Sequence, residues 1–428
     1  MAAATDGVVI DVAGYARVAS ARAQIAANPR CPFAANQLAS EIKALYTNVT
    51  GLEHVAIVGN DDVIPFFRSR DAAPLGPESD YVPPVSDDTP SQASLRSNYV
   101  LSQDGYGSTI NLSLGDESFP LPGAAVGRLV ETTSDALKLV NAYLALPGGT
   151  LPAPASALVT GYDFLEDAAN ATRDELAAGL RTAQQPAPTV DTLISPATES
   201  FLAPDAWSAD DLRAQLQSRR HDLIYLAGHF SANSALASDY RSAFGADELA
   251  SLNIDLQNAL VWSAGCHAGY NIVDGAAVPE VTRALDWPQA FAQRGATLIG
   301  GTGYQYGDTD FLAYSEQIYR EFARQLRVGE PGEAVSIGKA LVESKRAYLA
   351  ATPQLQGIDD KALREATLFG LPMLRIVMPG ERIPRPQAGL DAISPAAAPR
   401  APGSAFGLRT ADLPVDTSAL TQESVDLK

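Results

Sequence analysis

Short apolar runs alternate along this chain with longer stretches in which apolar residues recur every three or four positions. The short runs are rich in Val, Ile and Leu and predict strands at 8–12, 55–58, 125–130, 157–161, 189–194, 223–227, 259–263 and 296–300. The longer stretches predict helices at 35–46, 170–184, 209–219, 284–293, 311–327 and 333–350. One more apolar run, at 373–378, is a candidate for the strand that closes the sheet. This alternation predicts an α/β fold with a mostly parallel sheet.

Three Pro-rich or Gly-rich segments divide the chain. Residues 147–154 interrupt both periodicities and suggest a boundary between a smaller α/β subdomain at 1–150 and a larger one at 155–378. Residues 69–122 are rich in Pro, Ser, Asp and Gly and predict long surface excursions. Six prolines at 379–403 predict that 379–428 is a linker or tail, or the start of a truncated further domain.

Charge and composition exclude several classes of protein. The net charge of −19 over 428 residues argues against nucleic acid or an anionic membrane as partner, because both need a basic surface. No apolar stretch is long enough to predict membrane insertion. No signal peptide is visible either, so the expected location is cytoplasmic, or secreted or at the cell surface if the chain is cut from a longer precursor.

One histidine and one cysteine occupy equivalent positions at the ends of predicted strands. His229 follows the run 223–228 and Cys266 follows the run 260–265, and 37 positions separate them, which leaves room for a crossover helix. The carboxyl ends of parallel strands meet at one edge of a sheet, where ligands bind. We therefore expect both side chains at this edge. The alternative, a buried inert cysteine beside a structural histidine, stays open.

The chemistry of the pair favours nucleophilic catalysis. A thiol with a pKa near its reference value of about 8.5 is mostly protonated at neutral pH, and a neighbouring imidazole can take its proton. The backbone N–H groups of Cys266 and Phe230 are then candidates for an oxyanion hole. No pair among the histidines and cysteines has the spacing of zinc ligands, apart from the adjacent Cys266 and His267, so no metal site is predicted.

The order of the two residues selects among cysteine enzymes. Papain-type proteases and α/β-hydrolases place the histidine after the nucleophile, whereas here only His267 follows Cys266, and we interpret it as a local polar contact. Histidine before cysteine favours a caspase-like enzyme. The predicted architecture is a three-layer α/β/α catalytic subdomain preceded by the smaller α/β subdomain. The predicted function is a cysteine endopeptidase acting on peptides or proteins; the alternative is an inactive caspase-like scaffold.

Several segments resemble the gingipain-type cysteine peptidases, a branch of the caspase-like clan. The resemblance spans roughly 50–378 and rests on the segments 55–65, 126–129, 157–163 and 300–308 together with the two strand ends. It implies that Asp163 orients the catalytic histidine; a helix-capping role for Asp163 is the alternative. In one respect the chain departs from the family, since Phe230 stands where the family usually has glycine.

The resemblance also implies a substrate-binding loop at 304–310. By comparison with lysine-specific members, Asp308 or Asp310 would bind a Lys or Arg side chain at P1, the residue that precedes the cleaved bond, and Tyr304 or Tyr306 would flank its stem. Capping of the helix that follows is an alternative role for either aspartate. No cofactor is required, although the resemblance raises calcium as a candidate ion.

Overall fold

The computed structural model describes residues 1–87, 89–114, 117–196, 205–279, 281–282, 285–308, 312–385 and 405–407. Its centre is an eight-stranded sheet. We label the strands in chain order as β1 (His54–Val58), β2 (Ala125–Leu129), β3 (Ser156–Gly161), β4 (Thr189–Ile194), β5 (Leu223–Leu226), β6 (Leu260–Ser263), β7 (Thr297–Gly301) and β8 (Ala366–Phe369). Their order across the sheet is β1-β2-β8-β7-β6-β5-β3-β4.

The sheet consists of two parallel blocks. Strands β1, β2 and β8 run in one direction, and β7, β6, β5, β3 and β4 run in the other. The blocks meet where β8 pairs antiparallel with β7, with Leu298 opposite Phe369 and Gly301 opposite Ala366. The predicted α/β class with a mostly parallel sheet is confirmed. The sheet extends across the predicted boundary near residue 150, and the division into subdomains stays a prediction.

Continuous apolar sequence explains the central strands. Leu223–Leu226 and Leu260–Ser263 are buried at every position, because helices cover both faces of the sheet. Burying one such Leu or Val side chain contributes about 1.5–3 kcal/mol. These strands are therefore rigid supports for whatever follows them in the chain.

The helices pack on both faces of the sheet, and the six that the periodicity predicts begin within four residues of the expected positions, whereas the others were not predicted. Their bounds are Ala2–Thr5, Ala16–Ala27, Pro32–Ala44, Pro90–Arg96, Asp104–Gly107, Thr133–Ala145, Glu166–Leu180, Ala209–Ser218, Ala246–Ser251, Trp287–Gln293, Tyr314–Gln325, Ile337–Ala351 and Gly357–Glu365. Ser208 illustrates the start signal, because its hydroxyl accepts the N–H of Asp211 at 3.3 Å while the Asp211 carboxylate accepts the Ser208 N–H at 2.7 Å. None of the described helices is long and apolar enough to cross a bilayer.

Shorter elements decorate the sheet. Five two-stranded ribbons pair Phe67–Arg70 with Tyr99–Ser102, Ile110–Leu114 with Glu117–Leu121, Ser234–Leu236 with Ala243–Gly245, Tyr306–Asp308 with Ala405–Gly407, and Val335–Ser336 with Arg375–Ile376. Short 3-10 turns occur at Val12–Gly14, Glu78–Asp80, Pro147–Gly149, Asp163–Leu165 and Asp274–Ala276. Of the predicted tail, only 379–385 and the strand Ala405–Gly407 lie within the described residues.

Two strand predictions are wrong. Residues 8–12 form no strand: Val8 is 82% exposed, and the Asp11 carboxylate accepts the N–H of Ala13 and turns the chain into a 3-10 turn. The strand that lies in the main sheet near the C-terminal end is β8, not 373–378. β8 follows the helix Gly357–Glu365 without an intervening loop, so no turn signal marks its start.

Candidate active site

Four strands of one parallel block end at the same edge of the sheet. Leu226 at the end of β5 pairs with Ser263 at the end of β6, and the N–H of Ala264 donates to the Leu226 carbonyl at 2.9 Å. His229 lies three residues beyond Leu226 and Cys266 lies three residues beyond Ser263. The two residues therefore follow neighbouring strands at equivalent positions. β3 and β7 flank this pair of strands.

His229 lies in a pocket of aromatic rings. Its imidazole centroid is 5.2 Å from that of Tyr162, 5.4 Å from that of Phe164 and 5.9 Å from that of Tyr240, and the residue is 4% exposed. The approach requires glycine, since Gly228 has φ 152° and a Cβ there would lie 2.4 Å from the Tyr162 ring. The ring contacts restrict the orientation of the imidazole at this edge.

Cys266 lies on the side of β6 that faces β7. Its Sγ accepts the N–H of Gln305 at 3.4 Å and is 3.8 Å from the Gln305 carbonyl oxygen. The residue is 2% exposed, and burial raises the pKa of its thiol to about 12. The sulfur is therefore protonated at neutral pH in this arrangement.

The backbone N–H of Phe230 is directed away from the segment that it bridges, and its role as an oxyanion donor stays a prediction. Phe230 forms an antiparallel bridge with Ala235 in which Ser231 N–H and Leu236 N–H make the hydrogen bonds. In such a bridge the N–H of the central residue points away from its partner strand. The Phe230 ring lies in the core, with its centroid 5.5 Å from that of Trp287, and fills the space that a Cβ on Gly265 would need.

Asp163 begins the 3-10 turn after β3. Its Oδ1 accepts the N–H of Phe164 at 2.9 Å and the hydroxyl of Tyr240 at 3.2 Å. Tyr240 in turn packs against His229. The following helix starts at Glu166, so Asp163 is not its capping residue. Within the described chain Asp163 therefore approaches the histidine through Tyr240; its role as orienting acid stays a prediction.

The predicted substrate-binding residues divide into two groups. Asp308 is 1% exposed, and its N–H donates to Glu316 Oε2 at 3.2 Å, whereas Asp310 lies outside the described residues. The rings of Tyr304 and Tyr306 flank the ammonium group of Lys361, with centroids 5.2 and 5.5 Å away. These two tyrosines thus surround a cation of the chain itself, and any contact with substrate stays a prediction.

A buried ionic cluster beside the cysteine was missed from the sequence. Lys361 Nζ lies 2.8 Å from Asp71 Oδ2 and 2.7 Å from Glu78 Oε1, and Glu78 Oε2 lies 3.0 Å from His267 Nε2. Glu78 and His267 are both fully buried. Glu78 belongs to the stretch predicted as surface excursions, and that prediction is wrong there. The prediction was based on the high Pro, Gly and Ser content of 69–122, which does not show which residues of the stretch are buried.

Calcium, the ion that the resemblance raises, stays a prediction. Calcium takes six to eight oxygen ligands, usually including several carboxylates. In the ranges that the structure covers, no three His, Cys, Asp or Glu side chains are grouped as a metal site requires. Glu78, one of the acids close to Cys266, is held by Lys361 and by the backbone N–H of Tyr304.

The strand order and the helices on both faces of the sheet define a class of fold, the caspase-like α/β fold. A family model described as "Peptidase family C25" matches residues 18–377, and the chain belongs to this family of cysteine peptidases. No curated protein matches the chain.

Solved structures resemble the fold. One is the complex of the pro- and mature domains of RgpB from Porphyromonas gingivalis: TM-score 0.51, 15% identity, covering 79% of this chain and 69% of that one. Another is the Arg-specific cysteine proteinase gingipain R, RgpB: TM-score 0.49, 13% identity, covering 80% of this chain and 68% of that one. At this identity the likeness concerns the fold alone.

Proposed function

We propose that the chain is a cysteine endopeptidase in which Cys266 is the nucleophile and His229 is its base. The observation that carries the proposal is the register of β5 and β6, since both residues follow the last paired positions by the same number of residues. Membership of a cysteine peptidase family supports the reaction class. The proposal assigns the roles to the one cysteine and the one histidine at this edge that follow neighbouring strands.

The buried thiol determines the first step. Because the pKa of Cys266 is raised to about 12, no preformed thiolate is available at neutral pH. His229 then acts as a general base that takes the Sγ proton as the sulfur attacks the peptide carbonyl carbon. The tetrahedral intermediate collapses when the C–N bond breaks and the imidazolium gives its proton to the leaving amine. Water, activated by the same imidazole, hydrolyses the thioester and restores the thiol.

Backbone donors stabilise the intermediate. The N–H groups of Phe230 and Cys266 are the proposed oxyanion hole, and each such donor contributes about 2.7–4 kcal/mol in other proteases. The family's usual glycine at the position of Phe230 is not needed for this role, because the donor is the backbone and the Phe230 ring is turned into the core.

A thiol-reactive substrate analogue tests the proposal. A peptidyl acyloxymethyl ketone with arginine at P1, incubated under reducing conditions, is expected to form one adduct, on Cys266, which mass spectrometry of the digested protein locates. Iodoacetamide is expected to modify the half-buried Cys31 instead, because Cys266 is 2% exposed and its thiol is protonated.

A non-catalytic scaffold is the second candidate. The observation that favours it is the burial of both residues, with His229 4% and Cys266 2% exposed. A scaffold needs no accessible sulfur. The labelling experiment separates the two functions: a protein that takes up the ketone at Cys31 alone, or at neither cysteine, contradicts the peptidase and supports the scaffold.

We further propose that the peptidase prefers Lys or Arg at P1. Asp308 and Glu316 are adjacent buried acids, and burial raises the pKa of Glu316 well above its ordinary value, with Asp167 adding to the effect. Among the described residues Glu316 has no Lys or Arg partner. A cationic substrate side chain would favour the ionised form of Glu316 and could form a charge-assisted pair with these acids.

Removing the charge of Asp308 tests the preference. Asp308→Asn is expected to lower kcat/KM for a P1-arginine peptide by about 10²-fold relative to a P1-alanine peptide, since a charged pair is lost. Asp310→Asn, measured in parallel, decides which aspartate acts. Asp174→Asn, whose side chain is 69% exposed, is the control and should leave the ratio unchanged. Equal cleavage of both peptides by the unaltered protein would refute the preference.

A further inference from the structure

One buried carboxylate joins the two segments that contact the sulfur. Glu78 Oε2 lies 3.0 Å from His267 Nε2, and Glu78 Oε1 accepts the N–H of Tyr304 at 2.9 Å. His267 follows Cys266 in the chain, and Tyr304 precedes Gln305, whose N–H donates to Cys266 Sγ at 3.4 Å. Glu78 therefore binds the loop of Cys266 through one carboxylate oxygen. Through the other oxygen it binds the segment of Tyr304 and Gln305, which contacts the sulfur.

The two segments are also bonded to each other. The N–H of His267 donates to the carbonyl of Gly303 at 2.8 Å, and the Tyr304 ring packs edge-on against the His267 ring at 4.7 Å. The Tyr81 ring stacks on the same imidazole, with centroids 3.4 Å apart. The imidazole of His267 is thus fixed by a carboxylate and two rings, which leaves the backbone of the loop little freedom.

The backbone of the loop needs this support. His267 has φ 56°, a left-handed conformation that costs a residue with a Cβ roughly 1–2 kcal/mol. Such a conformation persists where the surroundings over-determine it. The peptide units on either side of this residue set the direction of Cys266, so the support of His267 is also the support of the nucleophile.

The charge of Glu78 is maintained in spite of its burial. Burial alone would raise the pKa of Glu78, but Lys361 and His267 outweigh this effect and lower it to about 2. Lys361 is itself held by Asp71 at 2.8 Å and by the carbonyl of Gly76 at 2.7 Å. The carboxylate can therefore accept from all its donors at neutral pH. Charge-assisted bonds of this kind are about twice as strong as neutral ones.

We infer that Glu78 is a positioning residue for the Cys266 nucleophile, acting through His267 and Tyr304. The inference rests on the proposed role of Cys266 in peptide hydrolysis and assigns a second, non-contacting acid to that reaction. Glu78 does not touch the reacting atoms. It fixes the loop of Cys266 and the Gln305 N–H in one arrangement, and its own position comes from a segment more than 180 residues earlier in the chain.

Glu78→Gln tests the inference. The amide keeps the shape of the side chain but removes the charge, and its NH₂ group cannot accept the hydrogen bonds that the carboxylate accepts from His267 and from the Tyr304 N–H. We expect kcat to fall by about 10²-fold, the effect of displacing a reacting group by about 1 Å. KM for the same peptide should stay within about twofold, because Glu78 makes no contact with substrate. Glu78→Asp restores the charge and should recover part of kcat.

A matched buried acid provides the control. Glu175 lies on the helix Glu166–Leu180 and is 7% exposed. Its Oε1 is 2.8 Å from Nη2 of Arg320. Glu175→Gln should lower the melting temperature as much as Glu78→Gln does, but leave kcat unchanged. A wild-type kcat in Glu78→Gln, or an equal loss of kcat in Glu175→Gln, would overturn the inference.

Two further variants, His267→Asn and Cys266→Ala, complete the test of Glu78. If Glu78→Gln does not fold, His267→Asn replaces it: asparagine tolerates the left-handed conformation, but its shorter side chain loses the link to Glu78. The folded variant should show the same fall in kcat, and wild-type kcat would contradict the inference. Cys266→Ala separates the two proposals. An active Cys266→Ala protein refutes the peptidase mechanism, whereas an inactive one beside a fully active Glu78→Gln protein refutes only the role of Glu78.

Discussion

Replacing Cys266 by alanine is expected to reduce peptide cleavage by at least about 10⁴-fold, to the level that binding and the oxyanion donors alone provide. The reason is chemical, because the proposed mechanism passes through a thioester, which alanine cannot form. The variant should fold normally, since alanine fits the small-residue turn after β6. The measurement is the initial rate on a peptide substrate under reducing conditions.

A double variant of Cys266 and His229 tests whether the two residues act together. If Cys266 and His229 act as one unit, His229→Ala costs nearly as much as Cys266→Ala, and the double variant is no slower than the slower single one. Cys31→Ser is the control, because Cys31 precedes the helix Pro32–Ala44, far along the chain from the catalytic edge. Full activity in Cys266→Ala, or multiplicative losses in the double variant, would contradict a Cys-His pair.

Replacing Lys361 by methionine is expected to destabilise the folded protein by about 3–5 kcal/mol. Lys361 is 1% exposed and is the cation shared by Asp71 and Glu78, which are both fully buried at their side chains. Its removal leaves two carboxylates in the interior without their counter-ion. Methionine keeps most of the volume, so the loss reports on charge rather than on packing. The measurement is urea denaturation followed by the tryptophan fluorescence of the protein.

An exposed ion pair supplies the comparison for Lys361. Lys339 lies 2.7 Å from Glu53, but these side chains are 49% and 61% exposed. Lys339→Met should therefore change the free energy of unfolding by less than about 1 kcal/mol. If both variants lose the same amount, burial of the cluster is not the source of the effect. If Lys361→Met is as stable as the unaltered protein, the cluster does not contribute to stability.

The sequence predicted the five-stranded parallel block of the sheet well because the central strands of that block are buried on both faces. Continuous apolar runs such as 223–226 and 260–263 have few alternatives to a central strand, and the small residues after them mark where they end. The positions of His229 and Cys266 followed from the same signal. By contrast, residues 8–12 are a similar apolar run but have no neighbouring strand with which to pair. The pattern of a single segment does not reveal whether such a partner exists.

Long-range polar contacts could not be predicted. Glu78 and Lys361 are 283 positions apart, and each has the residue type that normally lies in water. Only the folded chain brings them together behind Cys266. The route from Asp163 to His229 was hidden for the same reason: the aspartate itself was predicted, but the intervening Tyr240 lies in an unremarkable loop, and nothing in its local sequence marks it.

The junction of β7 and β8 constrains how a substrate reaches the sulfur. The two parallel blocks share one hydrogen-bonded ladder there, and Lys361 and Glu78 tie the same region together from behind. A hinge between the two blocks would have to break that ladder, and a hinge between the first third of the molecule and the rest would have to separate β2 from β8 and expose the paired charges of Glu78 and Lys361. Access to Cys266, which is 2% exposed, therefore requires local rearrangement of the segments that contact it, the one around Gln305 among them, while the sheet stays in place.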